Sequence, residues 1–164
     1  MNTIFTRTSV RKYLNKPVEE DKIMTILKAG LQAPSACNQQ PWEFFVVTNK
    51  AKLEELSAMS PYSAMVKDAP AAIVCGMHTD CMVPDMACQD CSIAMENIWL
   101  ETTDQGLGGV WLGTYPDEER MEKVRKILLL PDNLKAFAVF PLGYPDGPVT
   151  PKVRDDETKI HWVK

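Results

Sequence analysis

No stretch of this 164-residue chain is apolar over the roughly 20 residues that a bilayer-spanning helix requires, and the opening MNTIFTRTSVRKY has no hydrophobic signal core. A soluble cytoplasmic protein without a membrane partner is the expectation. An excess of positive charge is also missing, since 18 Lys plus Arg stand against 22 Asp plus Glu, a formal net charge of −4. That balance gives no general attraction to nucleic acid or anionic lipid, so any bound anion must be held by a local cluster. Histidine is scarce: His78 lies in a polar loop and His161 beside Trp162 near the end. Both contexts favour surface or packing roles over proton transfer. A G-x-G-x-x-G fingerprint is absent, because GLGG at 106–109 follows a helical pattern instead of joining a first strand to its helix. It reads equally well as a helix C-cap and tight turn. Neither an internal repeat nor a low-complexity linker interrupts the chain, and 45% hydrophobic positions are enough for one core over 1–164.

A complete disulfide framework is excluded as well, because Cys37, Cys75, Cys81, Cys88 and Cys91 are odd in number and no secretion signal precedes them. Cys75, His78, Cys81, Cys88 and Cys91 fall within CGMHTDCMVPDMACQDC, which raises a zinc or iron reading. The spacing is loose, and CQDC opens a helix instead of forming a knuckle. Reduced thiols without metal are expected, with a cysteine-cluster metal-binding protein as the alternative.

What is present reads as alternating helix and strand. After Pro17, the acids Glu19, Glu20 and Asp21 suit a helix N-terminus, and Ile23, Ile26, Leu27 and Leu31 recur at helical spacing up to a stop between Gly30 and Pro34. APSACNQQPW is a polar loop that feeds EFFVVT, a buried strand. A short helix over 51–59, a strand over 71–75, a long central helix through CQDCSIAMENIWLETTDQ and a strand at Val110, Trp111 and Leu112 follow. A helix after Pro116, a strand in KAFAVFPLGY and a possible last strand in KIHWV complete the pattern. Helices on both sides of several short strands predict a helix-flanked sheet.

The one local concentration of anion-binding groups is FTRTSVRKY, with Arg7, Ser9 and Arg11. Two guanidiniums and a hydroxyl suit phosphate oxygens, although two surface arginines pairing with the many acids would look the same in sequence. Trp42, Trp99 and Trp111 read as core or interface anchors, and Cys37 as a small apolar filler.

RTSVRKY, then PVEEDKIMTILKAGLQAPSACNQQPWEFFVV and later ENIWLETTDQGLGGVWLG resemble the flavin-dependent nitroreductase family in order and separation, from Thr6 to about Arg154. The resemblance implies an α+β fold with a central, mostly antiparallel sheet flanked by helices. It also implies an intertwined homodimer that binds FMN at its interface, with tail residues 150–164 reaching the partner subunit. Carried over by position, Arg7, Thr8, Ser9 and Arg11 would hold the FMN phosphate, with Arg154 completing that site and Lys152 assisting. Pro34, Ser35 and Ala36 match the loop that lies against the flavin, commonly from the partner subunit. Asn38 and Gln40 match residues that bond flavin edges, and Gly108 and Gly109 match backbone that passes close to the cofactor.

The implied activity is transfer of two electrons from NAD(P)H through flavin N5 to a nitroaromatic, quinone or similar flat acceptor, with no catalytic side chain and no metal. MSPYSAMVKD, with Tyr62 and Met65, is a candidate wall over the substrate face. The short span between central helix and following helix implies an open ring face with weak discrimination among acceptors. An FMN-binding module without turnover is the other alternative.

Overall fold

The computed structural model describes residues 3–164. Its spine is a five-stranded antiparallel sheet of order β1-β2-β5-β3, with β4 also on β5, where β1 is Trp42–Val47, β2 Ala71–His78, β3 Gly108–Gly109, β4 Leu112–Gly113 and β5 Leu134–Gly143. β2 and β5 lie centrally and are buried along almost their whole length. That explains why both read in sequence as continuous apolar runs and not as an alternating pattern.

Alternation persists in which face each residue serves. Ile73, Cys75 and Met77 of β2 belong to a core with Ile23, Ile26, Met95, Ile98 and Phe140. Ala72 and Val74 belong to a second core with Leu53, Leu56, Val124 and Leu130. The first face is covered by α2 (Glu20–Leu31) and α4 (Ala87–Asp104), the second by α3 (Lys50–Ser57) and α5 (Glu118–Leu128), while the short α1 spans Thr3–Thr6. This is the α+β arrangement of a central antiparallel sheet flanked by helices.

Local chemistry sets the helix ends. Glu20 and Asp21 occupy the first turn of α2 and Lys28 its last. Asn49 accepts from Lys52 N at 3.1 Å to start α3, and Asp117 accepts from Arg120 N at 3.0 Å to start α5. Leu129 stops α5 with a left-handed φ of 55°. Gly30 is a contact glycine, since a Cβ there would lie 2.8 Å from Ile98 Cγ1, so α2 and α4 approach closely at that point.

Three details differ from the sequence reading. The strand expected over Val110, Trp111 and Leu112 is two short pieces on β5, with Val110 and Trp111 between them outside the ladder. In GLGG, Gly106 makes the turn at φ 73°, but Gly108 and Gly109 enter the sheet. KIHWV is not a strand: only the single turn Glu157–Lys159 is regular there, and residues 146–164 are all exposed, so the segment lies against no strand that its own chain supplies. Trp42 is buried, and Trp99 and Trp111 pack edge-on against Phe140 and Phe137. No helix among the described residues is long and apolar enough to cross a membrane.

Candidate functional site

The segment after α1 runs beside the sheet and is fastened to it. Val10 N donates to Gly109 O at 2.9 Å, Leu14 N to Tyr144 O at 2.9 Å, and Asp146 N to Lys12 O at 3.0 Å. Ser9 bridges Gly109 in parallel register. The Tyr13 hydroxyl donates to Val10 O at 2.8 Å, with Pro141 O at 3.2 Å as a further acceptor, and burial pushes the phenol well above its ordinary range. Residues 8–12 are thereby held against residues 145–150.

Between them lies a cleft of about 330 Å³ lined by Thr8, Ser9, Arg11, Lys12 and Lys152, with Asp146 as its one carboxylate. A neighbouring cleft of about 490 Å³ contains Arg7, Lys152 and Arg154 with Ile4, Phe5 and Val153, and Asp155 as its one carboxylate. Lys152 lines both. The structure therefore brings Arg7, Thr8, Ser9, Arg11, Lys152 and Arg154 to adjoining walls, although the two ends of that set are about 145 positions apart in the chain. Arg7 is mostly covered: its guanidinium lies 4.1 Å from the Trp99 ring centroid, and its Nε is 3.7 Å from Glu96 Oε1. Partial burial pushes the Glu96 carboxyl up, against the opposing pull of Arg7.

Arg11 also lines a third cleft, of about 480 Å³, with Tyr62, Met65, Trp111, Gly113 and Arg120. No carboxylate lines it. The Arg120 Nε lies 3.2 Å from Asp117 Oδ2.

Pro34, Ser35, Ala36, Asn38 and Gln40 stand elsewhere and line none of these clefts. They form a tight loop before β1, with positive φ at Cys37 (51°), Asn38 (53°) and Gln40 (46°). Asn38 N donates to Ser35 O at 3.0 Å, Gln40 N to Ser35 Oγ at 2.9 Å, and the Gln40 amide to Asn38 Oδ1 at 3.0 Å.

Gly108 and Gly109 have packing reasons for being glycine. A Cβ on Gly108 would lie 2.4 Å from Val10 Cγ2, and one on Gly109 2.4 Å from Phe140 Cζ and 2.8 Å from Pro141 O. Their missing side chains are replaced by protein atoms. Two glycines present open backbone to clefts: Gly113, where the nearest atoms to a Cβ are 3.9 Å away, lines the third cleft, and Gly147, with nothing within 4 Å, lines the first.

Sequence reasoning missed Gly113, although it ends the ENIWLETTDQGLGGVWLG stretch, and Arg120, which lies in the acidic first turn of α5. It also missed Asp90, a carboxylate only 3% exposed that bonds the 34–40 loop. Its sequence signal was an acid in the first turn of α4. Of the proposed metal ligands, Cys75 and Cys91 are buried in the core, whereas the His78 imidazole lies 2.8 Å from Glu43 and 3.3 Å from Asp80 at the surface. No group of three or more metal-ligating side chains stands together among the described residues.

The fold and its clefts define an α+β protein that gathers cations from both chain termini against an acidic background, next to a carboxylate-free aromatic cleft. The chain belongs to the nitroreductase family, whose sequence profile matches residues 4–81 and 59–144. A Methanothermobacter thermautotrophicus protein provisionally named NADH dehydrogenase/NAD(P)H nitroreductase is 44% identical over 167 residues, covering 100% of this chain and 86% of that protein. A crystal structure from Clostridium acetobutylicum, provisionally named NADH oxidase, superposes with a TM-score of 0.96 at 41% identity, covering 99% of each chain. An FMN-dependent nitroreductase from Clostridium difficile superposes with a TM-score of 0.92 at 30% identity, covering 99% of this chain and 98% of that one.

Proposed function

We propose that this protein is an FMN-dependent oxidoreductase that passes two electrons from NAD(P)H to a flat acceptor such as a nitroaromatic or a quinone. The observation that carries the reading is the sharing of Arg11 between the cationic cleft and the aromatic cleft. A phosphate offers only acceptors, which suits Thr8, Ser9, Arg11 and Lys152, with Arg7 and Arg154 on the adjoining wall. A flat ring needs apolar walls and exposed backbone bonding groups, which suits Tyr62, Met65, Trp111 and the open Gly113. One molecule with an anion at one end and a fused ring at the other fits both, and FMN is such a molecule.

Bound FMN supplies reversible two-electron chemistry that no side chain here provides. The chain's own residues bind and orient. Arg11, at the junction, places a fixed positive charge between the anion and the ring. Trp99 backs the Arg7 guanidinium at 4.1 Å, and Gly113 leaves room for close approach to β4. The lack of carboxylates around the aromatic cleft spares an electron-rich ligand from like-charge repulsion.

The active unit in this reading is a homodimer of single 1–164 domains in the cytoplasm, where NAD(P)H is available. The loop at 34–40 lies outside the clefts of its own chain, and the exposed tail carries Val153, Ile160, Trp162 and Val163, at 89, 62, 84 and 98% exposure. Apolar side chains so exposed favour a covering surface, and a second copy provides one.

The test is the absorbance spectrum of the purified protein, with released cofactor identified by chromatography, followed by NADH and NADPH oxidation with a panel of acceptors. FMN near one per chain and turnover with several flat acceptors are expected. Absence of flavin even after supplementation with FMN overturns the reading.

A further inference from the structure

Asp90 sits in the first turn of α4, is 3% exposed, and pairs with no cation among the described residues. Its partners are all donors from the 34–40 loop: Ala36 N donates to Oδ1 at 2.9 Å, and the Gln39 amide nitrogen donates to Oδ2 at 2.7 Å. A buried carboxylate without a counter-cation is costly unless its oxygens are bonded, and here both are. The N-terminal end of α4 adds a favourable dipole.

The direction of each bond is fixed by a neighbour. Val83 N donates to Gln39 Oε1 at 2.7 Å, and Gln39 Nε2 donates to Val83 O at 3.1 Å. The backbone of Val83 thus sets which way the Gln39 amide faces and leaves its second proton pointing at residue 90. That residue must accept there and must also accept from Ala36 N. Two acceptor oxygens at one position require a carboxylate: an asparagine would set an NH₂ against a donor on one side or the other.

The clamped segment is the one with three consecutive-range residues at positive φ, Cys37, Asn38 and Gln40, none of them glycine. Left-handed backbone at such residues is unfavourable by itself and persists where surrounding bonds over-determine it. Within the loop, only the bonds among Ser35, Asn38 and Gln40 and short backbone turns oppose relaxation. Asp90 ties the loop to α4, which Ala87 and Cys91 seat in the core, and Gln39 ties it to Val83.

We infer that Asp90 is a positioning residue that holds the 34–40 loop in its ligand-ready conformation, an inference that rests on the proposed FMN homodimer, in which this loop, outside the clefts of its own chain, meets the flavin held by the partner subunit. Without the clamp the competent conformation is a fraction of the population, and the apparent affinity falls by that fraction. Loss of a charged hydrogen-bond pair of this kind corresponds to an FMN dissociation constant about ten- to a hundredfold higher.

The experiment compares the full-length protein with Asp90→Asn and Gln39→Ala, the second at a half-exposed position that leaves the Ala36 bond in place. Each is measured by FMN titration, by hydrogen exchange across residues 33–41 of the FMN-free protein, and by the visible spectrum at saturating FMN. Asp90→Asn is expected to weaken FMN about ten- to a hundredfold, to speed exchange in the loop but not in β2 or β5, and to alter the bound-flavin spectrum. Gln39→Ala is expected to do the same to a smaller extent, and it decides the matter if Asp90→Asn does not fold. Wild-type protein that binds no FMN overturns the underlying reading. Wild-type protein that binds FMN, with variants within twofold of it, overturns the positioning role alone. Weaker binding accompanied by faster exchange throughout the core also overturns it, because the loss then comes from global stability.

Discussion

Two glycines five positions or fewer apart in one edge of the sheet should respond to the same substitution in opposite ways. In Gly109→Ala, the new Cβ falls 2.4 Å from Phe140 Cζ, 2.7 Å from Phe140 Cε1 and 2.8 Å from Pro141 O. Phe140 is fully buried and Pro141 O belongs to β5, so neither the ring nor the carbonyl can retreat without moving the core or separating the strands. Overpacking of this kind costs about 1–3 kcal/mol. For a chain of this size that is a fall in melting temperature of roughly 2–12 °C. The damage should reach the cationic cleft too, because Gly109 O is the acceptor for Val10 N in the Ser9 to Arg11 segment. In Gly113→Ala, by contrast, nothing lies within 3.9 Å of the new methyl, and melting should change by less than about 0.5 kcal/mol. If the flavin ring lies along Gly113, that methyl stands between backbone and ring and should weaken FMN at least about tenfold, roughly 1.4 kcal/mol. Differential scanning calorimetry and FMN titration on both variants read the two effects separately. A Gly109→Ala protein as stable as wild type refutes the packing argument, and a Gly113→Ala protein with wild-type FMN affinity refutes the placement of the ring.

Arg7→Lys keeps the charge but loses the contact of the guanidinium with the Trp99 ring, so FMN should bind about three- to tenfold more weakly; unchanged affinity would show that the ring does not orient the cation. Arg125 holds the Glu122 carboxyl down at about 2 through paired hydrogen bonds of 2.7 and 3.0 Å. A depressed carboxyl stabilises the fold above its ordinary value of 4.5 and loses that contribution as pH falls toward about 2. Glu122→Gln should therefore flatten the acid limb of the stability profile only in that window, and chiefly at low salt since the pair is open to solvent, with the two side chains 44 and 33% exposed; a wild-type profile between pH 2 and 4.5 would refute the pairing. Deletion of residues 148–164 removes Lys152 and Arg154 but no buried residue, so light scattering should show a folded protein that has lost its dimer mass and much of its FMN affinity; a truncated protein with full dimer mass would place the interface elsewhere.

Elements whose signal was local were legible in the sequence. The acidic first turn and Ile23–Ile26 spacing of α2, and the apolar runs of β2 and β5, depend on neighbours within a few positions, and each was found where expected. The resemblance supplied the sheet's antiparallel character. Illegible features were those decided by distant partners. Val110 and Trp111 have strand propensity, yet Trp111 packs edge-on against Phe137 and the ladder on β5 breaks there. KIHWV has the composition of a strand and no strand of its own chain to pair with. Gly108 and Gly109 looked like room for a ligand, and only the tertiary structure shows Val10 and Phe140 filling that room. Asp90 meets a backbone donor 54 positions away, a pairing that no short window reveals.

α4 explains how so acidic a chain keeps a cationic site available. Asp90, near its start, spends its charge on the donors of the 34–40 loop and on no arginine. About two turns further on, Glu96 and Trp99 lie on one face at i,i+3 spacing and both hold Arg7, the carboxylate 3.7 Å from Nε and the ring centroid 4.1 Å from the guanidinium carbon. Ile98, between them in sequence, faces the opposite way into Gly30 of α2 and fixes the helix in the core. The last turn leads through Gly106 into β3, where Gly109 anchors Val10 and hence the Ser9 to Arg11 segment. One rigid helix, roughly 27 Å long at 1.5 Å per residue, thus sets the loop, the Arg7 guanidinium and the entry to the glycine edge relative to one another. Because Asp90 and Glu96 are committed to particular donors and Asp146 is the one carboxylate lining the cleft of Ser9, Arg11 and Lys152, the surplus of acid over base in the composition does not quench that cleft. Net charge and local field are independent quantities here, and it is the local field that the ligand meets.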